Sequence, residues 1–340
     1  MGDAAGIGPE IIVKALSHPK TYQFCSPTVI GSASVIQDAL RFASCPLKIR
    51  CFDITRCSRL REIPPGETDN CSYQISNDNV TAGTIDVLDV VALDAARVSV
   101  GIAHPLTGEA AAKSIQIAAQ LALEKRIDAV VTAPICKAAL HLAGYNYPGH
   151  TEIFAELTKA SRVVMMLAGE KLRVSFVTTH LSLAQVPSQI TVETILDVIS
   201  VTHATLIRLG ILSPKLVVAA LNPHAGEAGA FGTEETEIIA PAVKAAQAAG
   251  YSVEGPRPAD TLFVTAKDRR WDAVVAMYHD QGNIPLKLME FGHIVNVTLG
   301  LPIIRTSVDH GTAFDIAGQG VASEVSLIAA LKFAAHLSRK

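Results

Sequence analysis

Aromatic residues make up only 5% of this 340-residue chain, and several familiar signatures are missing altogether. No Lys/Arg run and no interleaving of aromatic with basic residues occurs, and 29 basic residues against 32 acidic ones leave a net charge of −3. Nucleic acid is therefore not an expected partner. No apolar run approaches the ~18–20 residues that a membrane helix needs, so no membrane span is expected. The opening MGDAAGIGPE has neither a basic region nor an apolar core, so it does not read as a signal peptide. The six cysteines (Cys25, Cys45, Cys51, Cys57, Cys71 and Cys136) include no C-x-x-C pair. A zinc ribbon or a thioredoxin-like motif is thus unsupported, and a cytoplasmic chain with reduced thiols is the simplest expectation. Also absent are G-x-G-x-x-G, a Walker loop, H-E-x-x-H, internal repeats and low-complexity segments.

What the chain does have is aliphatic bulk. Hydrophobic residues make up 49%, and mean hydropathy is +0.32. An Ala/Val/Ile/Leu-rich chain of this length suits buried parallel strands covered by helices. The opening GDAAGIGPEIIVKAL reads as a glycine-rich turn entering a helix, with Pro9 and Glu10 suited to its first turn. Strand-like stretches include TVIGS, LKIRCFD, TIDVLDV, DAVVTAP, RVVMMLAG, LRVSFVTTH, KLVVAALN, DAVVAMYH and IVNVTL. Helices are expected over 107–126, about 191–210, up to about 249, and about 323–338. Alternation of the two predicts a parallel or mixed α/β sheet.

Three histidines stand where such strands stop: His180 in VSFVTTHL, His224 in VVAALNPHAGE and His279 in AVVAMYHDQG. Ligands of open α/β sheets bind beyond the carboxyl ends of the strands. Three imidazoles delivered to one such edge are a candidate site for a divalent metal with open positions. One histidine alone reads as a turn residue. Three in the same context, two of them beside Asn222 and Glu227 or Asp280 and Gln281, favour a site. A second group has anion-binding chemistry. His150 and Thr151 lie in GHTE, which opens a helix, although Thr151 also suits simple capping. Lys287, Asn296 and Arg305 follow His279, and Lys and Arg at a cleft edge receive phosphate or carboxylate. Asp260, Asp309 and His310 are supporting candidates near loop ends.

The ordered set GDAAGIGPE, VTAPICK, GHTE, TTH, LNPHAGE, PADT, MYHDQG and LGLPIIRTSVDHGTAFDIAG resembles the 4-hydroxythreonine-4-phosphate dehydrogenase family of vitamin B6 biosynthesis. The match runs in order from residue 2 to about residue 320. It implies an isocitrate/isopropylmalate dehydrogenase-like α/β fold in two lobes with a cleft between them. On that basis residues 1–133 plus 310–340 form one lobe and 134–309 the other. The resemblance also implies a homodimer with its active site at the subunit interface. Metal ligands of the family match His180, His224 and His279, contributed from both subunits. Its substrate contacts match His150, Thr151, Lys287, Asn296 and Arg305.

The implied cofactors are NAD or NADP, held without the usual glycine fingerprint, and a divalent metal. Zinc is expected first, with cobalt, manganese or magnesium as alternatives. The implied reaction oxidises the C3 hydroxyl of 4-hydroxythreonine 4-phosphate, and the β-keto acid then loses carbon dioxide to give 3-amino-2-oxopropyl phosphate. A metal beside the hydroxyl favours its alkoxide form. His150 and Lys287 are candidate proton carriers, and no motif marks the residues that hold the nucleotide.

Two departures stand out. Ala4 replaces the family's usual proline, and no strand precedes the opening turn. Sister branches act on D-threonate or D-erythronate 4-phosphate, and HDQGNIPLKL and GTAFDIAG look closer to those. A more distant branch acts on aromatic cis-diols, and the retained GHTE speaks against it. From other classes, a metal-dependent hydrolase could use the same histidines with Asp280 or Glu227 as base. A non-catalytic sensor is disfavoured by the intact residue set.

Overall fold

The structure, a computed structural model, describes residues 1–53, 82–266, 268 and 270–339, so Cys57 and Cys71 lie outside it. The chain forms two compact units, one comprising Met1–Ala160 with Pro302–Ser338, the other centred on Ser161–Leu301. Both are α/β, as the pattern of strands and helices predicts.

The first unit opens with α1 (Gly8–Ser17), which carries Pro9 and Glu10 in its first turn and Lys14 in its last. There follow β1 (Thr28–Gly31), α2 (Ala33–Ala39), β2 (Lys48–Asp53) and β3 (Thr84–Asp89). These strands make an all-parallel sheet in the order β1-β3-β2. Its core is aliphatic, with Ile11, Leu16, Val29, Ile36, Ile85 and Val87 buried together. Next come α3 (Pro105–Leu123), β4 (Val130–Thr132), α4 (Lys137–Leu142) and α5 (His150–Thr158). Gly108 lets α4 lie against α3, since a Cβ there would fall 2.0 Å from the Ala139 carbonyl oxygen.

The second unit contains β5 (Val164–Ala168), β6 (Arg173–Phe176), α6 (Val186–Gln189), α7 (Val192–Arg208), β7 (Lys215–Ala219), α8 (Ala240–Ala248), β8 (Ser252–Arg257), α9 (Ala259–Ala266), β9 (Ala273–Ala276), α10 (His279–Glu290) and β10 (Val295–Leu299). Its sheet runs β10-β5-β6-β9-β7-β8. β5 is antiparallel to both β10 and β6, while β6, β9, β7 and β8 are parallel. Val174, Phe176, Val217, Val274, Leu262 and Leu286 form the core, with Trp271 at its margin. The chain then returns to the first unit with β11 (Arg305–Ser307), parallel to β4, and α11 (Val325–Ser338).

The boundaries expected at 133/134 and 309/310 differ from the observed division at 160/161 and 301/302. The reason is packing: α4 and α5 both lie on α3, and β11 pairs with β4. His150, Thr151 and Arg305 consequently belong to the first unit. A second difference is α10, since the stretch around IPLKLMEF was not expected to be helical. Its helix tolerates Pro285 in its interior. Side chains secure its start: Gln281 Oε1 accepts the Met277 N–H at 2.7 Å, and Gln281 Nε2 donates to the Ala220 carbonyl at 2.6 Å. Among the described residues no single helix is long and apolar enough to cross a membrane.

Candidate functional site

Three neighbouring parallel strands of the second unit end at one sheet edge, each followed by a histidine. β6 and β9 are in register from Val174↔Val274 to Phe176↔Ala276, and β7 lies on the other side of β9. Their strands are apolar because both faces are covered; the polar residues begin only past the edge. His180 follows β6, His279 opens α10 directly after β9, and His224 follows β7.

The His180 and His279 rings lie 6.0 Å apart between centroids. Asp280 Oδ1 sits 2.6 Å from His279 Nδ1. A carboxylate on Nδ1 fixes the tautomer and leaves Nε2 unprotonated with its lone pair available, the usual arrangement behind a metal-ligating imidazole. This chemistry fits a divalent metal. Among the described residues no three His, Cys, Asp or Glu side chains stand close enough to share an ion, so one chain does not join His224 to that pair.

His224 sits on an unusual backbone. Residues His224, Ala225, Gly226, Glu227 and Ala228 have φ of 52°, 53°, 81°, 43° and 53°, a left-handed turn of five residues. Only Gly226 adopts this region freely, and each of the other four costs about 1–2 kcal/mol. Something must offset that strain. Below the turn, Glu235 is 3% exposed and receives backbone N–H groups from Leu221 and Asn222. Glu235 was not singled out from the sequence. An acidic pair after a glycine-rich loop reads first as a complement to a helix dipole, which hides a long-range clamp.

Lys287 lies on α10 two helical turns beyond His279, and Asn296 lies on β10. The Asn296 Oδ1 is buried without a hydrogen bond. An acceptor in that state is poised for a donor brought from elsewhere.

The first unit holds the remaining anion-binding residues. Arg305 is 2% exposed, and its Nη2 donates to Thr132 Oγ1 at 2.6 Å. Its guanidinium carbon stands 5.9 Å from the centre of the Phe154 ring. Burial pushes its pKa down to about 9, while the Glu152 carboxylate pulls it back up. It stays cationic at neutral pH. His150 opens α5 with Thr151 and Glu152 in the same turn. Its Nε2 is buried without a hydrogen bond. Burial, then the positive charge of Arg305 and the Met1 amino group, hold its pKa well below the ordinary value. A neutral imidazole near a buried guanidinium at a helix N-terminus has the chemistry to receive an anion. Of the supporting candidates, Asp260 accepts the Thr261 N–H at 2.9 Å and His310 contacts the Gly311 carbonyl at 3.0 Å, both local bonds.

Known proteins resemble the chain along its whole length. The family model described as "Pyridoxal phosphate biosynthetic protein PdxA" matches residues 23–334. A 4-hydroxythreonine-4-phosphate dehydrogenase of Geobacter metallireducens is 46% identical over 339 residues, covering 100% of this chain and 94% of that protein. A D-threonate 4-phosphate dehydrogenase of Cupriavidus necator is 45% identical over 341 residues, covering 100% and 96%. The crystal structure of a 4-hydroxythreonine-4-phosphate dehydrogenase from Klebsiella pneumoniae superposes with a TM-score of 0.86 at 41% identity, covering 100% of this chain and 98% of that one.

Proposed function

The chain belongs to the PdxA family of pyridoxal phosphate biosynthetic proteins, and from that premise we propose that it is a nicotinamide-linked dehydrogenase of a phosphorylated hydroxy acid. The reading we favour is oxidation of the C3 hydroxyl of 4-hydroxythreonine 4-phosphate with NAD or NADP. Loss of carbon dioxide from the resulting β-keto acid gives 3-amino-2-oxopropyl phosphate. The observation that carries it is the delivery of His180, His279 and His224 to the end of three adjacent parallel strands, with Asp280 fixing the His279 ring.

His180, His224 and His279 would hold the metal, zinc before cobalt, manganese or magnesium. When bound, the metal supplies a Lewis acid that favours ionisation of the hydroxyl and withdraws electrons as the carboxylate leaves. The chain's own residues do the rest. Arg305 and Lys287 hold the anionic ends of the substrate, which fixes the reacting carbon in place. His150, neutral at physiological pH, can accept a proton or a hydrogen bond at Nε2. Thr151 and Asn296 add polar contacts that orient the molecule. The residues that hold the nucleotide are not assigned.

A homodimer completes this reading, with ligands drawn from both subunits. Its support is apolar exposure beside the histidines: Leu181 and Leu183 next to His180, and Ile284, Leu288 and Phe291 along and just past α10.

A second reading has a specific observation behind it, the 45% identity to a D-threonate 4-phosphate dehydrogenase. It keeps the metal, the hydride chemistry and the phosphate, and changes the C2 amine to a hydroxyl. The test is nicotinamide reduction with added metal, comparing 4-hydroxythreonine 4-phosphate with D-threonate and D-erythronate 4-phosphates. We expect the amino acid to be preferred. Preference for a sugar acid would replace the first reading by the second. Metal-dependent turnover that needs no nicotinamide would sink both and favour a hydrolase.

A further inference from the structure

We propose that Glu235 is a positioning residue for His224, gripping the left-handed turn so that its imidazole meets the metal. The inference rests on His224 being a metal ligand, as argued above. Glu235 is buried at 3% exposure. Its Oε1 accepts the Leu221 N–H at 2.8 Å and the Asn222 N–H at 2.7 Å. Its Oε2 accepts Asn222 Nδ2 at 3.0 Å, and the same amide nitrogen donates to Glu234 Oε2 at 2.7 Å. These bonds fix Leu221 and Asn222, the latter two residues before the turn begins. The same carboxylate lies close to the middle of the turn: a Cβ on Gly226 would stand 2.8 Å from Glu235 Oε2, so glycine is needed there. One side chain therefore holds the entry of the segment that bears His224 and lies against its centre.

The conformation needs such a grip. Four of the five successive residues that hold positive φ are not glycine, a state that persists only where the surroundings over-determine it. Glu235 itself begins a π-helical turn, Glu235–Ile239, ahead of α8. Turns of that kind occur frequently at functional sites. Asp280 orients His279 through its ring nitrogen. Glu235 does the equivalent for His224 through the backbone, since no carboxylate bond to the His224 ring is present among the described contacts.

A merely stabilising clamp would weaken folding and leave metal affinity unchanged in the folded protein. The test measures zinc affinity of the metal-free full-length protein by competition with a chromophoric chelator, alongside its unfolding midpoint. Glu235→Gln keeps the shape but turns one oxygen into a donor facing Asn222 Nδ2. We expect zinc affinity to fall about tenfold, the scale typical of lost supporting contacts to a metal ligand. Asn222→Ala should reproduce the loss. Glu10→Gln serves as the folding control. Glu10 is a comparably buried carboxylate in the other unit, bonded to the Gly320 and Ala322 N–H groups. It should lower the unfolding midpoint without changing zinc affinity. Wild-type zinc affinity in both Glu235→Gln and Asn222→Ala overturns the proposal, as does an equal loss in Glu10→Gln. His224→Ala separates the two levels. If it still binds zinc like the wild type, the ligand assignment itself has failed. If it loses zinc while Glu235→Gln does not, only the positioning role has.

Discussion

A buried guanidinium is costly unless an anion meets it. Arg305 is buried, its Nη2 donates to the neutral Thr132 hydroxyl, and Glu152 supplies negative charge nearby. A substrate phosphate or carboxylate would satisfy it further. Arg305→Ala is therefore expected to raise KM for the phosphorylated substrate at least about 30-fold, equivalent to about 2 kcal/mol. The KM for nicotinamide should stay within about twofold. Arg305→Lys, which keeps the charge and loses the fork, should fall between. Equal effects on both ligands would mean that its role is misassigned. His150 makes a separate prediction about pH. Its folded-state pKa lies well below the ordinary 6.5. Its neutral form thus contributes stability that is present above about pH 6.5 and is lost as pH falls below it, because the unfolded chain then binds the extra proton. Urea midpoints at about pH 7.5 and 5.5 should fall more steeply for the wild type than for His150→Gln. Parallel falls would show that the ring is not held neutral.

Legibility differed from element to element. β6, β7 and β9 were plain because strands buried on both faces are continuous apolar runs. α3 was plain because it is long and rich in helix-forming residues, and α7 was plain as a long helix; in the structure His104 caps the first and Thr191 the second. The positions of His180, His224 and His279 past the strand ends followed from that reading. What stayed hidden depends on distant partners. α10 begins HDQGN and contains Pro285, a poor local sequence for a helix, and bonds from Gln281 to Met277 and Ala220 hold its start. β8 reads SVEGPR, and glycine with proline argues against a strand; it is tolerated because β8 is the edge of its sheet. The left-handed turn at 224–228 follows no pattern in the sequence, since alanine and glutamate do not favour it. Its entry is held by Glu235, more than ten residues onward, whose carboxylate also lies against its centre. Likewise, α4 joined the first unit because Gly108 opens room on α3, a fact of packing that spacing does not encode.

At the scale of the whole molecule the pressing question is what covers α10. Its inward side is buried through Gln281, Leu286 and Glu290. Its outward side shows Ile284 at 57%, Leu288 at 82% and, just past its end, Phe291 at 79% exposure. Spacings of four and three residues put these on one helical face. Three large apolar groups aligned on a single helix favour a partner surface. The helix also begins with His279 and carries Lys287, so a second copy docking here would lie against the proposed site. Such an arrangement would bring a second chain's ligands to the pair His180 and His279. The double variant Leu288→Glu, Phe291→Glu should then sediment as a monomer at concentrations where the wild type is a dimer. Its far-UV circular dichroism should be unchanged, because neither side chain contributes to a core. Turnover should fall by at least about a hundredfold and zinc affinity with it, as a ligand set split between subunits loses a member. A variant that still sediments as a dimer with wild-type turnover would remove this face from the interface. A monomer with full zinc affinity and turnover would instead show that one chain completes the site alone.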